Sequence, residues 1–260
     1  MMFEHMHQCI VQIKESNPLV LNLTNYVTME WVANGLLSLG ASPIMTESTE
    51  ELDDLIQIAH AVVINIGTLE DTFLARAAHA CATANRLNKP LIFDPVGAGA
   101  SFYRTRTCLN FLEQFNFTVI RGNASEVMAL AGDHVKTKGV DSLSQTCDAI
   151  ESAQRLSITY QTTVAVSGAT DLVIRDQQVK KLDRGSPLMT RVTGTGCLLT
   201  AVVAAFNAVS TDAYTATASA LLFYSVCGEL AAQKSYGPGS FQANFLDELF
   251  CLPPRQHFES

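Results

Sequence analysis

The chain has 260 residues, 48% hydrophobic, 16% charged and 8% aromatic, with 17 Lys+Arg against 25 Asp+Glu and a formal net charge of −8. A chain of this length buries roughly three quarters of its unfolded surface, so it needs no disulfide or metal staple, and its low charge excludes the disordered class. The acidic balance argues against nucleic acid or an anionic membrane as partner, since either would need a basic patch.

The start, MMFEHMHQCIVQIKESN, has no basic region followed by an apolar run, so no signal peptide is expected. In chain order, the pattern predicts a strand at Leu19–Leu23, helices at Met29–Leu39 and Glu50–Ala59, and a strand at Ala61–Ile66. It continues with a helix at Leu69–Leu87, a strand at Leu91–Phe93, a helix at Tyr103–Gln114 and a strand at Thr118–Ile120. Helices at Ala124–Ala131 and Ser142–Ser157 and a strand at Thr163–Val166 follow. The strands are near-continuous apolar runs, as expected of strands covered on both faces. Asp171–Asp183 reads as an antiparallel hairpin at the sheet edge, and helices at Thr195–Val209, Tyr214–Gln233 and Phe241–Leu249 close the chain.

This β-α alternation predicts an α/β fold, a mostly parallel sheet between layers of helices. No linker, charge block or repeat divides it, so residues 1–260 are expected to form one domain. The uncharged stretches between Arg191 and Asp212 and between Asp212 and Glu229 carry Thr, Ser or Asn. Neither is expected to offer the ~20 predominantly apolar residues of a membrane span, and both are read as buried core helices. The seven cysteines are scattered, without C-x-x-C, which points to reduced thiols in a cytoplasmic protein.

Gly67, Gly97, Gly99, Gly122 and Gly168 each fall just past the carboxyl end of an expected strand. Ligands of open α/β sheets bind in the crevice outside those ends. Neither G-x-G-x-x-G nor a P-loop is present, and the six histidines show no zinc spacing. Gly194, Thr195 and Gly196 open a long apolar helix, where free N–H groups and the helix dipole make an anion site; an ordinary N-cap by Thr195 is the plainer alternative. Arg121, at the end of its strand, suits phosphate oxygens. Asp94 and Glu126 on neighbouring strand ends suit Mg²⁺, while Asn123 and Glu126 have the spacing of a capping box. An anion-binding helix start, an arginine and two carboxylates, without P-loop or protein-kinase signatures, point to a small-molecule kinase.

Several segments carry a resemblance to one family: LTNYVTMEWVANGLLSLGASPIM (23–45), VVINIGTL (62–69), DPVGAGASFYRT (94–105), RGNASEV (121–127), VTGTGC (192–197) and GPGSFQANFLDEL (237–249). In these the chain resembles hydroxyethylthiazole kinase, a thiamine-salvage enzyme of the three-layer α/β/α ribokinase-like fold. The resemblance implies ATP-dependent phosphorylation of the hydroxyl of 4-methyl-5-(2-hydroxyethyl)thiazole with Mg²⁺, in a homotrimer with active sites between subunits. It assigns Met45 and Gly194 to the thiazole substrate and places Asn25 and Val27 beside the ring. Taken alone, Met45 and Val27 read as core residues. It assigns Arg121 and Ser167 to ATP, and Asp94 and Glu126 to the metal. Ser167 stands where the family commonly has Thr, keeping the hydroxyl, and Leu21–Asn22 stand where related chains often carry His or Cys. Cys197 occupies the place where most ribokinase-like enzymes have an aspartate. A helix start favours its thiolate and a nearby triphosphate opposes it, so Cys197 is expected to orient the alcohol and assist weakly. Kinases of a pyrimidine or pyridoxal alcohol, a hydrate dehydratase of the same superfamily and a non-catalytic nucleotide binder are the competing readings.

Overall fold

The computed structural model describes residues 2–133 and 142–251, without the side chains of 142–147. The strands are β1 (Leu19–Leu23), β2 (Ser42–Ile44), β3 (Ala61–Asn65), β4 (Leu91–Asp94), β5 (Val119–Asn123), β6 (Thr163–Ser167), β7 (Asp171–Arg175) and β8 (Gln178–Leu182). They form one sheet in the order β2-β1-β3-β4-β5-β6-β7-β8, parallel from β2 to β6 and antiparallel across β7 and β8. The expected edge hairpin is β7–β8.

The helices are α1 (Met2–Ser16), α2 (Met29–Leu39), α3 (Leu52–Ile58), α4 (Asp71–Arg86), α5 (Phe102–Gln114), α6 (Ala124–Leu130), α7 (Ser142–Tyr160), α8 (Thr195–Ala208), α9 (Ala213–Gln233) and α10 (Pro238–Phe250). Side chains alternate across a strand, and here each strand serves two cores. Val20, Val63, Ile92, Val119 and Ala165 pack under α1, α2, α8, α9 and α10. Leu21, Ile64, Phe93, Ile120 and Val164 pack under α3 to α7. The three-layer α/β/α architecture follows from this alternation.

One α-helix, one strand and a 3-10 helix at Pro187–Arg191 lie outside the sequence expectation. α1 buries Met6, Cys9, Ile10 and Ile13 along one helical stripe. β2 is a three-residue edge strand containing Pro43, whose missing N–H an edge tolerates. α9 also corrects an expectation: its 21 residues, with mean hydropathy 1.2, are long and apolar enough to cross a membrane. In the fold 78% of that stretch is buried, packed against α1, α8 and α10.

Candidate active site

Strand parity builds the floor of the site. Asn65, Asp94 and Arg121 sit two residues beyond Val63, Ile92 and Val119, so they share the sheet face that lies under α8. Asn65 pairs in register with Asp94, and Asn123 with Ser167, at the carboxyl ends of their strands. β1 turns outward to β2 while β3 lies on its other side, so the crevice beside β1 and β3 is the topological switch point. Asn25 stands there, buried, two residues past β1.

A hydrogen-bonded chain crosses this floor. Asn25 Nδ2 donates to Asn65 Oδ1 at 3.0 Å, and Asn65 Nδ2 to Asp94 Oδ2 at 2.8 Å. Thr200 Oγ1, on α8, donates to the same Asp94 oxygen at 2.7 Å, and Arg121 Nη1 stands 3.8 Å from it. Asp94 is only 1% exposed, and its Oδ1 is buried with no hydrogen-bond partner. Burial pushes its carboxyl up to about 6, against the pull of Arg121.

Above the floor, α8 begins at Gly194, which caps it in the left-handed region at φ 89° without any side-chain cap. This corrects the alternative in which Thr195 is the N-cap: Thr195 is the first helical residue, and its Oγ1 donates to Val192 O at 2.8 Å. The amides of Thr195, Gly196 and Cys197 precede the first intrahelical bond, Leu198 N to Gly194 O, and so have no acceptor within the helix. Tyr224 Oη donates to Thr195 O at 2.6 Å and steadies this turn. A methyl group on Gly196 would lie 2.8 Å from Arg121 Nη1, so the glycine admits the guanidinium beside the helix start. Cys197 Sγ accepts from Asn25 Nδ2 at 3.3 Å. Its thiol is pushed up by burial first and by the Asp94 charge second, so the neutral thiol is favoured here over the thiolate.

A cavity of about 680 Å³ opens beside Arg121, Ser167, Thr195 and Gly196 and runs past Tyr224 to Met189. Arg121 Nη2 donates to Ser167 Oγ. β5 runs to Asn123, so Arg121 and Gly122 lie inside the strand rather than at or past its end.

Glu126 is the capping-box residue of α6: its Oε2 accepts from Asn123 N at 2.8 Å while Asn123 Oδ1 accepts from Glu126 N. Its Oε1 accepts from Gly97 N at 2.9 Å, which ties the loop after β4 to α6. Both oxygens are therefore acceptors. Glu126→Gln must turn an NH₂ against one of these amides and is expected to lower unfolding stability by about 1–3 kcal/mol, read as a urea midpoint shift at unchanged slope. No group of three or more metal-ligating side chains occurs among the described residues.

Residues 10–255 match the model of the hydroxyethylthiazole kinase family. The chain belongs to the hydroxyethylthiazole kinase family. It is 45% identical over 249 residues to a hydroxyethylthiazole kinase of Brachyspira hyodysenteriae, covering 96% of this chain and 94% of that one. Among solved structures, the hydroxyethylthiazole kinase protein of Pyrococcus horikoshii superposes with a TM-score of 0.89 at 38% identity, over 96% and 94% of the two chains. A ribokinase-like superfamily protein of Enterococcus faecalis shares the fold with a TM-score of 0.68 at 16% identity, over 90% and 88%.

Asn25, Asp94, Arg121, Ser167, Gly194 and Cys197, which the resemblance to hydroxyethylthiazole kinases singles out, gather around this floor and helix start together with Thr195 and Gly196 of the expected anion site. Met45 follows β2, half-buried against the α2 and α8 side of the core. Val27 is not a core residue: it is 72% exposed, on the rim of a second cavity between α2 and α10. Asn22 is fully buried in β1 and donates to Val20 O at 2.9 Å. Sequence reasoning missed Asn65, Thr200 and Tyr224. Asn65 was visible as the one polar residue of VVINI, and Thr200 as the residue nearly one turn after Cys197.

Proposed function

We propose that the cavity and the Asn25–Cys197 corner beside it are the donor and acceptor halves of one active site. The reaction follows from the family: the chain phosphorylates the hydroxyl of the thiazole alcohol with ATP as co-substrate, within thiamine biosynthesis or salvage. The observation that carries the two-part reading is the helix start of α8. Thr195 and Gly196, whose amides have no acceptor within the helix, line the cavity, and one residue later the Cys197 thiol meets Asn25.

In this reading Arg121, Ser167 and the amides of Thr195 and Gly196 hold the phosphates. Loose phosphoryl transfer asks mainly for such positioning and charge neutralisation. Asp94 fits Mg²⁺, because Oδ1 is a buried carboxylate oxygen without a partner; Glu126, whose oxygens are engaged, would act through intervening water and its charge. Bound Mg²⁺ supplies charge neutralisation to the triphosphate. Gly194, Asn25, Val27 and Met45 face the thiazole, and Cys197 orients its hydroxyl as an uncharged thiol. Val27 at 72% exposed and Tyr26 at 50% need a cover; a neighbouring copy in a homotrimer provides one and completes the acceptor half. The free cysteines support a cytoplasmic protein, and the single sheet supports one catalytic domain.

Turnover with ATP across thiazole, pyrimidine and pyridoxal alcohols tests the assignment: the thiazole alcohol should be the preferred acceptor. A light-scattering mass tests the trimer. A thiol that only orients the alcohol is dispensable, so Cys197→Ala should slow single-turnover phosphorylation by less than the ~10²–10⁴ of a true general base, and Cys197→Asp should remain active. A larger loss in the first together with a dead second variant would show that the thiol itself is essential.

A further inference from the structure

Gly228 lies in α9 behind the cavity, facing the thioether of Met189. A methyl group placed on Gly228 would lie 2.5 Å from Met189 Sδ and 3.1 Å from its Cε, well inside van der Waals contact, so a side chain there displaces the thioether from this seat. Gly185, left-handed at φ 116°, flanks the same sulfur, which a methyl there would meet at 3.5 Å. The next residue of α9 fixes the segment that carries Met189. Glu229 accepts from Arg184 Nε at 2.9 Å, from Arg184 Nη2 at 2.6 Å and from Gly185 N at 2.8 Å. Glu229 thus ties Arg184 and Gly185 to α9 at the start of a segment whose Pro187, Met189 and Thr190 also line the cavity.

The position of that segment follows from α9 itself. Tyr224 reaches the phosphate-holding turn through Thr195 O, and Gly228 is four residues further on, about 6 Å along the helix axis. The charges at this end are already engaged. Arg184 is paired with Glu229, Asp171 accepts from Gly168 N and Ser225 Oγ, and Asp183 accepts from Thr170 Oγ1. Met189, Pro187 and Leu199 supply apolar surface there, and a thioether packs favourably on an aromatic ring.

We propose that Met189 packs against the nucleobase of the phosphate donor, and that Gly228 is a positioning residue that keeps the thioether out of the base's place. This rests on reading the cavity as the ATP site. The test measures calorimetric Kd values for a non-hydrolysable ATP analogue and for inorganic tripolyphosphate, which shares the phosphates and lacks the base. Gly228→Ala should weaken the analogue at least about tenfold and leave tripolyphosphate within about twofold. Alanine is the better helix former, so α9 is retained. In a Met189→Ala background, the Gly228→Ala penalty should fall below about twofold, because the colliding group is gone. Equal loss of both ligands, no loss of the analogue, or an undiminished penalty in the Met189→Ala background would overturn the proposal. These binding constants need no turnover. A wild-type protein that binds the analogue but phosphorylates no alcohol would overturn the acceptor assignment and leave this inference standing; one that binds no analogue would overturn both.

Discussion

Asp94→Asn is expected to cost at least ~10²-fold in turnover, the scale of losing one preorganised charged group at a reacting centre, while making the protein more stable above pH 6. The second effect follows from burial. The Asp94 carboxyl is pushed up to about 6, whereas in the unfolded chain it titrates near ~3.9. Between those values the folded protein holds a proton that the unfolded chain has lost, so stability falls as pH rises from about 4 to 6 and stays lowered above. Two units correspond to about 3 kcal/mol at ~1.4 kcal/mol each. Asn carries no charge and keeps an acceptor for Asn65 Nδ2 and Thr200 Oγ1. Urea unfolding in Mg²⁺-free buffer should therefore show the variant about 2–3 kcal/mol more stable at pH 8, with the advantage vanishing near pH 4. An unchanged difference across that range would remove the buried charge as its cause. A buried carboxylate that lowers stability while ionised fits the proposed role of Asp94, in which the charge faces the triphosphate and its cation.

The strands and helices that position this charge were legible as hydrophobic patterns, and the places where the patterns failed coincide with the site. Read by apolar runs, β4 stops at Phe93, β5 at Ile120 and β6 at Val166; in the fold they continue to Asp94, Asn123 and Ser167. Each strand leaves the core at its carboxyl end and enters the crevice, where its side chains turn polar, so hydrophobicity loses the strand just where chemistry begins. Glu126 shows the other limit. Its capping box is a matter of three-residue spacing and was legible, whereas its bond to Gly97 joins α6 to a loop 29 residues earlier and needed the fold. Thr195 misled because threonine is a favoured N-cap; Gly194 takes that place, with a methyl group excluded by Thr28 Cγ2 at 2.8 Å and Trp31 Cδ1 at 2.9 Å. α1 had the apolar spacing of a helix in Met6, Cys9, Ile10 and Ile13, but its segment was weighed only as a possible leader. Val27 is apolar and yet 72% exposed, which its residue type alone does not indicate.

Arg121→Ala is expected to weaken the use of ATP by about 1–3 kcal/mol, roughly 5- to 150-fold in kcat/KM for ATP, the scale of a charge-assisted hydrogen bond. Binding of the thiazole alcohol measured without nucleotide should hardly change, because the guanidinium lies with Ser167 and Gly196 on the cavity side of α8. The substitution has a second, separable consequence. Arg121 is the strongest influence holding the Asp94 carboxyl down against burial. Its removal pushes that carboxyl further above 6, so a larger share of Asp94 is protonated at neutral pH and the acidic limb of the rate profile moves to higher pH. Arg121→Lys keeps a charge without the planar fork; it should restore much of the limb's position and less of the ATP affinity. Asp94→Asn has no carboxyl left to titrate, so Arg121→Ala in that background should keep its ATP penalty and produce no further shift of the limb. A limb that moves equally in both backgrounds would show that Asp94 is not the group being titrated. Normal ATP kinetics in the single variant would remove Arg121 from the donor site altogether.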